Sequence, residues 1–238
     1  MFGISTYCLH DEPLETALDR IAPLTSHIEV MDEGLHYLEN ADLLATHSCR
    51  YTIHAPSRGT NLASLLEPIR RASVEVMADC FRIAAEVGAG IVVHPGYFAW
   101  AEERTKAEQQ LVLSLTELQE HAREYSVEFF VENMGNWEYF LLKTPDELPL
   151  IGGSSFALDV GHAHQNRCLP AFIATSRARH FHLHDNDGTM DTHAAIGDGT
   201  IDFAAVIRAV RASGIRPVIE VATFEGVKTS IGRLESLG

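Results

Sequence analysis

Residues 179–193 read RHFHLHDNDGTMDTH, with His180, His182 and His184 at every second position and His193 closing the stretch. A β-strand sends alternate side chains to the same face, so the three imidazoles share one side while Phe181 and Leu183 share the other. The apolar face suits a covering layer of helices. The imidazole face needs an enclosed space where each ring is paired or holds a ligand, because burying polar groups bare costs on the order of several kcal/mol. The interior of a barrel is such a space.

Working outward, seven further short β-branched or aromatic runs read as strands: FGISTY (2–7), HIEVMD (27–32), YTIHAP (51–56), GIVVHPG (90–96), VEFFVEN (127–133), SFALDVG (155–161) and RPVIEVA (216–222). Helical spacing falls between them. Leu111, Leu115, Leu118 and Ala122 form one stripe; Phe203, Val206, Ile207 and Val210 form another, with Asp202 placed as its N-cap. Leu65, Leu66, Ile69, Ala72 and Val76 form a third, Pro68 marks a helix start, and Gly88 and Gly214 fit C-terminal stops. Eight strands and about eight helices in alternation predict an α/β protein with one (β/α)8 TIM barrel, a single domain over 1–238. An open doubly wound sheet is the alternative, weakened because no Gly-x-Gly-x-x-Gly or P-loop follows the first strand.

The 238 residues are 46% hydrophobic, enough to bury a core. No run approaches the roughly 18 apolar residues that cross a bilayer, and the N-terminus lacks the pattern of a signal peptide. Cys8, Cys49, Cys80 and Cys168 are scattered, which fits free thiols in a reducing compartment. A cytoplasmic protein with no membrane association is the expectation. The net charge of −15 repels polyanions unless bound cations reverse the field locally.

In a barrel the active site lies at the face where the strands end. The last inward residues there are His54, His94, Glu132, Asp159 with His162 just beyond it, His182 and Glu220; the loop after the seventh strand adds Asp191 and His193. Six of eight strands thus carry His, Asp or Glu at equivalent ends. One such residue is commonplace, whereas imidazoles and carboxylates converging from six strands form a divalent-metal site.

These motifs resemble the xylose isomerase-like TIM-barrel superfamily, also called the AP endonuclease family 2 domain, over essentially the whole chain. The ligand pattern is most similar to that of the endonuclease IV family, whose members repair DNA with three zinc ions. The resemblance assigns HAP and HPG (His54, His94) to a first Zn2+ with Glu132 of VEN, which bridges to the second. LDVGH gives Asp159 to the second ion and His162 to the third. HLHD selects His182, and IEV selects Glu220, for the second; DTH supplies Asp191 and His193 to the third. NLAS (61–64) echoes the segment after the family's first histidine, but Ser57 stands where a DNA-contacting tyrosine is expected, and SRGTNLAS carries a one-residue insertion.

Two chemistries follow from the resemblance. One is phosphoester hydrolysis, in which Zn2+ ions lower the pKa of water to supply an attacking hydroxide and neutralise phosphoryl charge. The other is sugar or sugar-phosphate isomerisation or epimerisation on a single Mn2+, Co2+ or Mg2+ at Glu132, Asp159, His182 and Glu220, with Glu132 and Glu220 as acid and base. A barrel that binds metal or ligand without turnover is a third. The expected substrate is a phosphate-bearing or sugar small molecule; abasic DNA fits the ligand pattern, but the acidic charge disfavours it. Arg58 and Arg167 either grip a phosphate or face solvent. Trp137 and Tyr139 either wall a sugar ring or simply pack. His184, with His180, either orients neighbouring ligands or reaches the substrate. His10, His27, His36, His47 and His121 have no convergent partners and receive no role.

Overall fold

The structure, a computed structural model, describes residues 2–237; the expected domain limits at 1 and 238 lie just outside it. Eight parallel strands close in chain order into a barrel: β1 (Gly3–Ser5), β2 (His27–Met31), β3 (Arg50–His54), β4 (Gly90–Val93), β5 (Phe129–Glu132), β6 (Ser155–Asp159), β7 (Ala178–Leu183) and β8 (Val218–Ile219). β8 pairs with both β7 and β1, so no edge is left open among them. All eight expected strands are present, each shorter than its β-prone run. The runs overshoot because their last residues leave the ladder to form loops; Ser5, for instance, already receives the amide of Tyr7 at 3.3 Å as a short 3-10 turn begins.

Among the described residues seven α-helices cover the barrel: α1 (Leu14–Ile21), α2 (Glu67–Val87), α3 (Arg104–Tyr125), α4 (Val160–Gln165), α5 (Leu169–Thr175), α6 (Phe203–Ser213) and α7 (Phe224–Ser236). Strict alternation does not hold. β2 and β3 are joined by a loop with two short 3-10 turns, and β5 and β6 by a 3-10 helix containing Pro149, which cannot supply an α-helical hydrogen bond. The α3 and α6 stripes are buried as expected, apart from half-buried Ala122, and Asp202 caps α6 with its carboxylate. Gly88 and Gly214 end their helices at φ of 66° and 70°, where a Cβ would be strained.

The expected face of α2 is corrected. Its buried side is Arg70, Ser73, Val74, Met77, Cys80, Phe81, Ile83 and Ala84, while Leu66 and Ile69 are exposed. Polar residues occupy the inner face because they are satisfied there: Arg70 donates to Glu67 and Ser114, and Ser73 donates to the Ile69 carbonyl.

Strand parity divides the barrel. Ile28, Val30, Ile53, Ile91, Val93, Val131, Leu158, Phe181 and Leu183 belong to the large core beneath the helices, and Val92, Phe130 and Ala157 form a small separate apolar cluster. The inner residues next along these strands, Glu29, His180 and His182, are buried polar groups. A charged barrel interior is the first unusual property of this chain.

Candidate metal centre

Each candidate ligand is placed by the end of a strand or by a loop pinned to one. His54, Glu132 and Asp159 are the last residues of β3, β5 and β6; His94 and Glu220 come directly after β4 and β8. Asp159 is also the N-cap of α4, accepting the His162 amide at 2.6 Å. That cap is why the Asp-x-x-His spacing works: it sets His162 in the first turn of a helix that starts at the barrel mouth. Asp191 and His193 arrive on the loop after β7. Asp185 and Ala194 bridge that loop with two hydrogen bonds of 2.9 Å, and the Ala222 amide donates to the His193 carbonyl at 2.8 Å. His193 itself sits at φ 43°, a strained value for a residue with a Cβ, held by these contacts.

All nine expected residues fall into three clusters whose ligating atoms lie within 4.8 Å of one another: His54, His94 and Glu132; Glu132, Asp159, His182 and Glu220; and His162, Asp191 and His193, joined by His184. Glu132 belongs to two of them. Its Oε2 lies 3.3 Å from Nε2 of His54 and 3.1 Å from Nε2 of His94, while its Oε1 lies 2.8 Å from Nδ1 of His182. In the third cluster Asp191 Oδ2 is 3.0 Å from Nε2 of His162 and 3.3 Å from Nε2 of His193.

The rings are aimed from behind. His54, His162 and His193 direct Nδ1 to the carbonyls of Ala55, Asn133 and Glu220 at 3.1, 2.9 and 2.8 Å, which leaves Nε2 facing the carboxylates. This is how proteins fix the tautomer of a metal-binding imidazole.

Burial opposes charge throughout the centre, yet the pairs hold it. Burial pushes Glu132 up, but His182, His54 and His94 bring it well below the usual carboxylate range. Burial likewise raises Asp159 and Asp191, and the facing imidazoles of His162 and His184, or of His162 and His193, hold both low. His54 and His193 are pushed down by burial but raised overall to about 9 by Glu132 and Asp191 respectively. A divalent ion bound among these groups would have to displace the protons that the raised imidazoles carry. Even so, Oε1 of Glu220 is buried without a hydrogen bond. Carboxylate and imidazole donors with a bare buried oxygen among them fit divalent cations.

Above the centre lies a cavity of about 770 Å³. His54, His94, Glu132, His162, Asp191, His193 and Glu220 form its floor, whereas Asp159 and His182 lie beneath and are fully buried. Arg58 and Trp137 line it as expected. Arg58 is highly exposed and pairs with Glu33 at 3.6 Å; Trp137 packs on Tyr97 and Phe140. Ser57 also lines it, its amide bonded to Glu33, a carboxylate that the strand-end pattern did not single out. Asn61 of NLAS shapes the wall instead, accepting the amides of Ala63 and Tyr97 at 3.0 Å.

One expectation is corrected, two open readings are decided, and one residue given no role joins the cavity. His184 is not placed to touch a substrate: it is fully buried, its Nε2 lies 3.0 Å from Asp159 Oδ1, and its ring stacks on His193 at 3.9 Å. Alternation gives the side of a strand, not the depth at which a residue lies. Tyr139 and Arg167 do not line the cavity; Tyr139 packs edge-on against Phe98 and Trp137. His10, given no role, does line it, stacked on Tyr7, whose ring is 4.9 Å from that of His193. The FGISTY run ends at Tyr7, so its position was readable; its direction was not, because the strand breaks at Ser5.

A closed (β/α)8 barrel carrying carboxylates and imidazoles at its mouth defines the class, and the chain belongs to the xylose isomerase-like TIM barrel family, whose profile matches residues 28–237. The uncharacterized protein MJ1614 of Methanocaldococcus jannaschii is 32% identical over 203 residues, 78% of this chain and 81% of that protein. A probable endonuclease 4 of Mycobacterium leprae is 28% identical over 214 residues, 82% of this chain and 81% of its own. The crystal structure of a D-tagatose 3-epimerase-like protein superposes with a TM-score of 0.91 at 28% identity, covering 99% of this chain and 96% of that one. Among the described residues no helix is long and apolar enough to cross a membrane.

Proposed function

We propose that this chain is a divalent-metal-dependent phosphoesterase, with Zn2+ as the cation and a phosphate ester held in the cavity over the three clusters. The observation that carries it is the third cluster. One ion suffices for sugar isomerisation, and Glu132, Asp159, His182 and Glu220 alone could hold it; His162, Asp191 and His193 are then superfluous, although the loop carrying Asp191 and His193 is pinned, and strained at His193, to bring them to His162. Divalent ions bound there would act as Lewis acids, lowering the pKa of water and drawing charge from a phosphoryl group.

The chain's own part is positional. Glu132, with one oxygen toward each of two clusters, fixes their spacing. Glu220 offers an unpartnered oxygen at the floor, and its carbonyl holds His193 in place. Arg58 supplies an exposed cation at the rim, paired there with Glu33, and Trp137 supplies an apolar wall. The net charge of −15 favours a small phosphate ester over duplex DNA.

A second proposal, epimerisation of a ketose on one ion with Glu132 and Glu220 as acid and base, is favoured by the likeness to the D-tagatose 3-epimerase-like protein. Zinc-loaded protein assayed on bis(p-nitrophenyl) phosphate, sugar phosphates, abasic-site DNA and a panel of ketohexoses separates the two. Release of phosphate or nitrophenol is expected; epimerised ketose with no hydrolysis contradicts the phosphoesterase.

A further inference from the structure

Below the centre, inside the barrel, lies a group of side chains that the proposed chemistry does not use. Glu29 of β2 is fully buried, and its two oxygens face two imidazoles of β7: Oε1 lies 2.7 Å from Nε2 of His182 and Oε2 lies 2.8 Å from Nε2 of His180. His180 is in turn stacked on Phe130 at 5.3 Å between ring centroids, and its ring stands edge-on to that of His182. The three residues come within ligating distance of one another with no water-exposed surface to speak of.

His182 differs from the other candidate ligands in how it is aimed. His54, His162 and His193 place Nδ1 against a main-chain carbonyl and present Nε2. His182 is reversed: Nδ1 faces Glu132 at 2.8 Å and Glu220 at 3.5 Å, and Nε2 points down the barrel. A carbonyl cannot meet Nε2 there, because strands turn side chains, not carbonyls, into a barrel. A carboxylate on the inner face of a neighbouring strand can.

We infer that Glu29 is a positioning residue, which holds Nε2 of His182 so that Nδ1 is the nitrogen offered to the cation of the central cluster, with His180 anchoring the other oxygen of Glu29. A carboxylate behind a metal-binding imidazole fixes ring and tautomer and makes the ring a stronger donor. Phe130, with Val92 and Ala157, packs an apolar cluster beside this pair.

The inference rests on the central cluster holding a metal, and the test keeps the two apart. Wild-type, Glu29→Gln and Glu29→Asp proteins are stripped with a chelator and titrated with Zn2+ against a competing indicator, and thermal unfolding is followed with and without metal. Glu29→Gln should retain zinc in the central cluster about 10- to 100-fold more weakly. Its metal-free melting temperature should move little while the rise on adding zinc shrinks, which a purely structural defect would not produce. Glu29→Asp keeps the charge but withdraws it by one methylene, and it should fall between; it also serves as the test if Glu29→Gln does not fold. Equal zinc affinity in wild type and both variants overturns the inference, as does loss of a fourth equivalent of zinc, which would make Glu29 a ligand. A wild type that binds no metal overturns the phosphoesterase reading instead.

Discussion

Oε1 of Glu132 lies 2.8 Å from Nδ1 of His182, on the opposite side of the carboxylate from His54 and His94. A side chain so placed serves two clusters at once, and its removal is not confined to one. Glu132→Gln should therefore abolish activity under either chemistry and lower metal content by more than one equivalent. Elemental analysis of the variant alongside the wild type checks this; loss of a single ion with the others retained would show that the carboxylate does not bridge.

His193 separates the two chemistries. It stacks on His184, faces Asp191 and takes no part in the central cluster. His193→Ala should lose one metal and reduce phosphoester hydrolysis by roughly 10²- to 10³-fold, the usual cost of removing one stabiliser of developing charge. An isomerase would remain largely competent. Full hydrolysis with three metals retained in this variant would mean the third site is assigned wrongly.

Asp185 decides whether the third cluster forms at all. Its Oδ1 accepts the amides of Asn186 at 2.9 Å and Ile201 at 3.2 Å, and its Oδ2 accepts Gly197 at 2.8 Å, so one buried carboxylate ties both ends of the loop carrying Asp191 and His193. Asp185→Ala leaves those amides unmet. A loss of about 2–4 kcal/mol is expected in urea unfolding of metal-free protein, together with one fewer bound ion. Gly161→Ala should act on the same centre from another side, since a methyl there would overlap the His184 ring and push it off Asp159. Unchanged metal content in both variants would contradict this account of the loop.

How much of this was legible depends on what alternation can report. Period-2 patterns found all eight strands and the strand-end candidates His54, His94, Glu132, Asp159 and Glu220, because each strand has to keep its apolar residues under the helices; His162, Asp191 and His193 lie off the strands, and the choice of His182 among three same-face imidazoles came from the resemblance. The same rule could have found Glu29, which sits between Ile28 and Val30 in HIEVMD with inward parity. Its role is not legible there, because its partners, His180 and His182, are 151 and 153 residues away, and parity gives no distance. The α2 face departs from its apolar stripe for a different reason. Arg70 is buried through ion pairs with Glu67 and Glu117, and a hydrophobic stripe cannot foresee that a guanidinium will take the inner position. His184 and His10 exchanged roles because depth and loop path come from tertiary packing.

His27 gives the fold its own pH dependence. Burial lowers it from the ordinary value to about 4, and its Nε2 lies 2.8 Å from the Thr52 hydroxyl. The unfolded chain therefore takes up this proton first as the pH falls, so stability present above pH 6.5 is lost progressively down to about 4. That amounts to about 2 kcal/mol between pH 7 and 5. Urea midpoints of metal-free protein at the two pH values should fall less for His27→Gln than for wild type. An equal drop in both would place the acid sensitivity elsewhere.

The central claim is that the three clusters, two of them sharing Glu132, each hold a cation. Elemental analysis of protein purified without added metal, then of the same protein after zinc loading and desalting, tests it most directly. Three tightly held ions per chain are predicted; one ion that no amount of loading increases would contradict the trinuclear centre.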